Sequence, residues 1–349
     1  MDTVHYQIFH EAGAPLELKS SPCPELGSGD VLVAITLATI CGSDIHTYLG
    51  HRNEPTPCIL GHEGMGTVIA SARDAVSVGE RVTWSLADSC GNCSPCADHA
   101  IPEKCDDLFK YGHASLSNGT GLNGTYATHI LLRPGTAIIP LPDSVSDALA
   151  APANCALATM VKAVEQLPAT TKSVVVQGMG MLGLYTCALL HARGIRTYGV
   201  DVNETRLEFA AKFGAKPIHG NNDCVATILN ANCGKVDGVI EAAGFAPVVK
   251  DGMAMLRYGG TYVLVGLVHP DSKLPITGED IIRKNATICG IHNYAPQHLQ
   301  QGIDFLATNA TTYPFDDLVS PPYPLTDLET AFELAQQHTW CRVAITPSN

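Results

Sequence analysis

The stretch "SVVVQGMGMLG", Ser173 to Gly183, restricts the fold of this chain more than any other. Consecutive valines favour a buried strand. Gly178, Gly180 and Gly183 then stand in G-x-G-x-x-G spacing, and the apolar run "MLGLYTCALLHARG" follows as a helix ending at Gly194. A glycine turn that leaves a strand and opens a helix is the context in which this spacing binds a dinucleotide. Gly178 permits the tight turn, Gly180 lets the backbone approach a pyrophosphate, and Gly183 lets helix and strand pack closely. The helix N-terminus offers unpaired N–H groups to phosphate, and Met181 and Leu182 in its first turn are expected cofactor contacts. Asp201 ends the next strand, "RTYGVD", eighteen residues after Gly183. A carboxylate there accepts hydrogen bonds from ribose hydroxyls and repels a 2′-phosphate, which favours NAD over NADP. Arg206 is near enough in sequence to soften that repulsion.

The alternation continues. "NETRLEFAAKFG" reads as a helix with Asn203 as N-cap and Gly214 as its stop. "VDGVIEAAG", "TYVLVGL" and "NATICGI" read as strands, and "APVVKDGMAMLRYGG" as a helix between the first two. Repeated βα units predict a parallel, doubly wound sheet. The first 150 or so residues differ. They are punctuated by Pro and Gly and lean towards strand, as in "DVLVAITLATI", "GTVIASA" and "ERVTW". The tail, with helices near Gln297–Thr308 and Asp327–Gln337 and a strand "CRVAIT", resembles the first part. We therefore expect an α/β protein: a β-rich domain over residues 1–155, completed by 292–349, with a Rossmann unit inserted at 156–291.

Composition matters for what it excludes. A net charge of -13 offers no basic face to nucleic acid. The longest apolar run, "VLVAITLATI", is too short to span a bilayer, and the N-terminus carries no secretory signature. The expectation is a cytoplasmic protein with no membrane partner.

"SCGNCSPCADHAIPEKC" places Cys90, Cys93, Cys96 and Cys105 in one loop. Disulfides, an iron–sulfur cluster and a structural metal are the candidates. Thirteen cysteines in a long chain do not fit a secreted disulfide scaffold. Clustered thiols then point to metal, and iron–sulfur ligands usually follow other spacings. Elsewhere "CGSDIH" supplies Cys41, Ser43, Asp44 and His46, "GHEGMG" supplies His62 and Glu63, and "APANCALAT" supplies Cys155. Two thiols and an imidazole are a familiar set for a catalytic zinc, with one position left open.

Taken together, "CGSDIH", "GHEGMGTV", "VGERV", the four-cysteine loop, the glycine turn and Asp201 resemble, in order and spacing, the zinc-dependent medium-chain alcohol dehydrogenases over essentially the whole chain. The resemblance implies a GroES-like catalytic domain joined to the Rossmann unit and two zinc ions per chain. Cys41, His62 and Cys155 would hold the catalytic zinc, with Glu63 behind it as an occasional ligand. Cys90, Cys93, Cys96 and Cys105 would hold the structural one, although the family usually has one residue fewer before the last cysteine. Ser43 would accept the alcohol's proton and pass it through the nicotinamide ribose to His46, and Asp44 would orient His62. Thr159, Gly266 and Leu267 would border the nicotinamide. A homo-oligomer, dimer or tetramer, is the family habit.

For the substrate, a small-molecule alcohol or carbonyl, "GHRNEP" and "LFKYGH" bring His51, Arg52, Lys110 and His113 towards the expected cleft. Such groups suit an anionic alcohol, and "APANCALAT" with "EKCDDLFKYGH" resembles a subgroup associated with phosphonate catabolism, which implies a hydroxyalkylphosphonate. A polyol or amino-alcohol dehydrogenase is the alternative. A zinc-free quinone-reductase-like or non-catalytic cofactor-binding protein is the alternative of another class.

Overall fold

The computed structural model describes residues 3–269 and 271–347. The chain divides into two compact units. The first comprises the described residues of Met1–Cys155, Ala295–Ala310 and Phe315–Asn349, and the second comprises those of Ala156–Tyr294 and Thr311–Pro314.

The first unit is built on a seven-stranded sheet. Its long central strand, Val31–Ile40, is buried along nearly its whole length, as its unbroken apolar run requires. It pairs antiparallel with Glu63–Ser71 on one side and Val343–Thr346 on the other, while His129–Leu132 also pairs with its first half. The register sets Thr39 opposite Glu63 and Ile40 opposite Val343. Residues at the ends of three neighbouring strands therefore meet: Cys41, His62 with Glu63, and Arg342. Trp84, Tyr126 and Phe332 fill the core beneath. Phe332, on the helix Leu328–Gln336, stacks on Tyr48 at 4.3 Å and fixes the short helix Gly42–Tyr48 that follows Cys41.

The second unit carries a six-stranded, all-parallel sheet. Its order is Lys216–His219, Arg196–Asp201, Ser173–Gln177, Val236–Glu241, Leu256–Leu264, Thr287–Gly290. The strand order reverses beside Ser173–Gln177, so ligands are expected at the carboxyl ends there. Several details differ from the sequence reading, among them the unmarked helices Cys224–Ala231 and Gly278–Lys284. Lys216–His219 is a strand that the alternation did not mark. The helix Val248–Met255 stops before "LRYGG", which begins the next strand. Leu256 is fully buried opposite Val236, and Gly259 at φ +65° cannot prolong a helix. Among the described residues no helix is long and apolar enough to cross a membrane.

Candidate active site and metal centres

Four side chains of the first unit converge: Cys41, His62, Glu63 and Cys155, with ligand atoms all within 4.8 Å of one another. Each arrives by a different route. Cys41 directly follows the central strand and caps the short helix. His62 precedes the neighbouring strand, entered through Gly61 at φ +90°. Cys155 sits in a π-helical turn, Ala153–Leu157, a local widening of the helix often found at functional positions. Asn154 holds that turn in place by donating to the carbonyls of His62 and Trp84.

The polar surroundings prepare the donors. Asp44 is fully buried and lies 3.1 Å from His62 Nδ1; it also accepts from Tyr126 Oη and from the Cys41 amide. A carboxylate at Nδ1 keeps the proton there and leaves Nε2 free to bind a metal. Cys41 is drawn well below the usual thiol value, first by a hydrogen bond from Cys155 and then by Arg342 and His62, while Cys155 is correspondingly held up. Two thiols, one of them ready to ionise, and one imidazole form a donor set that suits zinc. Ser43 Oγ stands 3.5 Å from His62 Nε2. His46 lies one turn further along the same helix and is exposed, with its ring 5.9 Å from that of His51.

Glu63 is also fully buried. It accepts from Arg342 Nε at 2.7 Å and Nη2 at 2.8 Å, and from Thr39 Oγ1 at 2.6 Å. Burial pushes its carboxyl up to about 7, with Cys41 adding to the rise and Arg342 opposing it. Arg342 Nη2 also reaches Cys41 Sγ at 3.5 Å. Sequence reading missed Arg342. It was a single arginine in an apolar tail strand, and only the sheet register brings it to Glu63.

The second cluster is Cys90, Cys93, Cys96 and Cys105, again within 4.8 Å of one another. Sulfur–sulfur separations of 3.4 Å and 3.7 Å, to Cys105 from Cys90 and Cys93, exceed any disulfide bond and fit the edges of a tetrahedral site. The lobe that holds them has almost no regular structure beyond the turns Ser94–Ala97 and Pro102–Lys104.

In the second unit the glycine turn has the expected shape. Gly178 adopts φ +93°, a Cβ on Gly183 would collide with the Gly178 carbonyl, and a Cβ on Gly180 would meet nothing within 4 Å. That open face is the space a pyrophosphate needs. Met181 and Leu182 begin the helix Met181–Ala192. Asp201 is buried at its strand end; Oδ2 accepts from the Met179 amide, Oδ1 from the Asn203 amide, and Arg206 lies 3.8 Å away. Asp201 thus also braces the glycine turn. Thr159 is buried in the helix Ala158–Glu165, and Gly266 and Leu267 follow Leu256–Leu264. Sequence reading did not single out Glu241, whose buried carboxylate accepts from the amides of Gly244 and Gly266 and fastens the two loops at this edge.

The four substrate candidates part company. Arg52 Nε lies 2.6 Å from Glu54, a partner the sequence reading left aside. His113 is buried 5.1 Å from the His62 ring, with Nδ1 3.2 Å from Glu54. Burial lowers His113 below its usual value, with Glu54 opposing the shift and His62 adding to it. His51 is exposed. Lys110 is half-buried without an ion pair among the described residues; burial, then Arg52 and Lys104, pull its pKa down.

Comparison with known proteins identifies a family. The family model for an alcohol dehydrogenase GroES-like domain matches residues 27–143, and that for a zinc-binding dehydrogenase matches 182–308. The chain is 30% identical to 5-exo-hydroxycamphor dehydrogenase of Pseudomonas putida over 327 residues, 88% of this chain and 89% of that protein. It is 30% identical to D-arabitol-phosphate dehydrogenase of Enterococcus avium, covering 92% and 91% of the two. An alcohol dehydrogenase structure from Thermotoga maritima superposes with a TM-score of 0.93 at 27% identity, over 99% of this chain and 100% of that one.

Proposed function

From the premise that this chain belongs to the zinc-dependent medium-chain alcohol dehydrogenase family, we propose that it transfers hydride reversibly between a small anionic alcohol and NAD, using two zinc ions per chain. The observation that carries the chemistry is the convergence of Cys41, His62 and Cys155, with Asp44 fixing the imidazole. When bound, zinc supplies a Lewis acid and the dinucleotide a hydride acceptor.

The chain's own residues do the rest. Ser43 Oγ is placed to take the alcohol's proton, and His46, exposed on the same helix, to return it to solvent. Arg342 balances the charge of Glu63 and Cys41, so that neither stands uncompensated when the centre is dry. Glu63, clamped at both oxygens, serves as a reserve ligand only if Arg342 lets go. Thr159, Gly266 and Leu267 border the nicotinamide, while Gly178, Gly180 and Gly183 take the pyrophosphate. Asp201 reads the ribose and favours NAD over NADP.

Lys110 supports an anionic substrate. It has no ion pair among the described residues, is partly desolvated and is crowded by other cations, and a negative group would relieve it. A relative that acts on D-arabitol-phosphate supports the same class, of which a hydroxyalkylphosphonate is a member. A neutral polyol is the second reading, favoured by Glu54, which already occupies Arg52. The test is NADH formation by zinc-loaded enzyme across hydroxyalkylphosphonates, phosphorylated polyols and their uncharged counterparts, with zinc quantified in parallel. We expect kcat/KM at least tenfold higher for the anionic member of each pair. Equal values would discard the anionic reading and leave the polyol one. No NADH with any alcohol would discard the dehydrogenase.

A further inference from the structure

The second unit has an open depression of about 650 Å³, well within the roughly 300–1,000 Å³ of small-ligand sites. Lys172, His191, Arg193, Arg196 and Lys216 line it, and no carboxylate does. In a chain with 21 Lys and Arg against 34 Asp and Glu, such a gathering is not the scatter of an acidic surface.

The topology explains how it forms. Lys172 directly precedes Ser173–Gln177, Arg196 opens Arg196–Asp201, and Lys216 opens Lys216–His219. These three parallel strands are neighbours, so all three cations stand at the amino edge of the sheet. Gly178 and Asp201 stand at the opposite, carboxyl edge. The depression is therefore not the dinucleotide site.

Part of the charge has a local use. His191 and Arg193 sit at the C-terminal end of Met181–Ala192, where positive groups complement the helix dipole. His191 Nδ1 lies 2.9 Å from Tyr313 Oη, and Arg196 Nη1 donates to Asn232 Oδ1. That leaves the side chains of Lys172, Arg193 and Lys216 with no ion pair or hydrogen bond among the described residues. A second observation is independent of charge. Thr171 also lines the depression, is only 7% exposed, and its hydroxyl has no partner among the described residues. A buried hydroxyl without a partner is costly unless something accepts from it.

We propose that this depression binds a phosphate-bearing anion of at least two negative charges. Lys172, Arg193 and Lys216 supply the countercharge and Thr171 a hydroxyl donor. Local charge of one sign in a concave wall focuses field enough to attract such an anion despite the overall negative charge.

The test is calorimetric. Zinc-loaded K110A enzyme, which lacks the cation proposed to hold an anionic substrate, is first saturated with NADH to block the carboxyl-edge site. Tripolyphosphate and 5′-AMP are then titrated separately. Binding of either at one per chain is expected, and the tighter of the two tells whether free phosphate or a nucleotide is the natural source. K172A/R193A/K216A should weaken it by about tenfold or more while NADH affinity stays unchanged. If the triple variant does not fold, R193A alone should weaken it by about threefold. Absence of binding by both anions, or binding equal in the variant, overturns the proposal. The readout needs no turnover, so it is decided separately from the dehydrogenase reading.

Discussion

The two cysteine-containing clusters each bring together four candidate donors within 4.8 Å of one another, yet they are built in opposite ways. In the lobe, the donors come from one short loop, Cys90 is exposed, and little but thiols surrounds them. At the other centre the donors come from separate strands and a π-helical turn, and every neighbour is engaged: Asp44 on His62, Arg342 on Glu63, Tyr126 on Asp44. A loop that buries so little has little fold of its own, and a bound metal would supply it. A centre assembled by the sheet already has its geometry, so a metal there is free to do chemistry. On the proposed reading the lobe would use an ion for structure, and the core would use structure for an ion.

Substitutions should separate the two. C155S, which keeps the shape and leaves Asp44 its partner, is expected to abolish NADH formation and lower zinc from two per chain to one, with little change in melting temperature. C90S should show the reverse: the same loss of one zinc, but a lowered melting temperature, at roughly 2–4 °C per kcal/mol lost for a unit of this size. If both variants lost only activity, the contrast drawn above would be false. R342A comes next. It leaves Glu63 buried without its countercharge, at a cost of about 3–5 kcal/mol, read as a lower denaturant midpoint. D44N keeps the shape but weakens the hold on His62, and about 10–100-fold should disappear from kcat/KM or zinc affinity. The smallest effect is at Lys110. Its pKa lies below the ordinary lysine value, and it binds an anion only when protonated. KM for an anionic alcohol should therefore rise with pH before an ordinary lysine would titrate, and K110A should remove that rise while leaving kcat nearly unchanged.

The same contrast governs what the sequence disclosed. The thiol lobe and the glycine turn are local, and spacing alone exposed them. So did the N-cap at Asn203, whose side chain accepts from the Arg206 amide. Cys41, His62 and Cys155 could be grouped only through the family resemblance, because nothing in their spacing brings them together. Arg342, Glu54 and Glu241 stayed hidden. Each acts through a partner fixed by sheet register or by a loop contact, and a lone charged residue carries no mark of the partner it will meet. The strand Lys216–His219 was hidden for a related reason: with only Ile218 buried, it has no apolar pattern to see.

Arg342 follows Glu63 by 279 positions. On a ribosome adding roughly 5–20 residues per second, the thiol, imidazole and carboxylate would emerge on the order of 15–55 s before their guanidinium arrives. Until the last strand joins the sheet, the buried Glu63 lacks its countercharge, so the centre is electrostatically complete only when synthesis of the chain is nearly over.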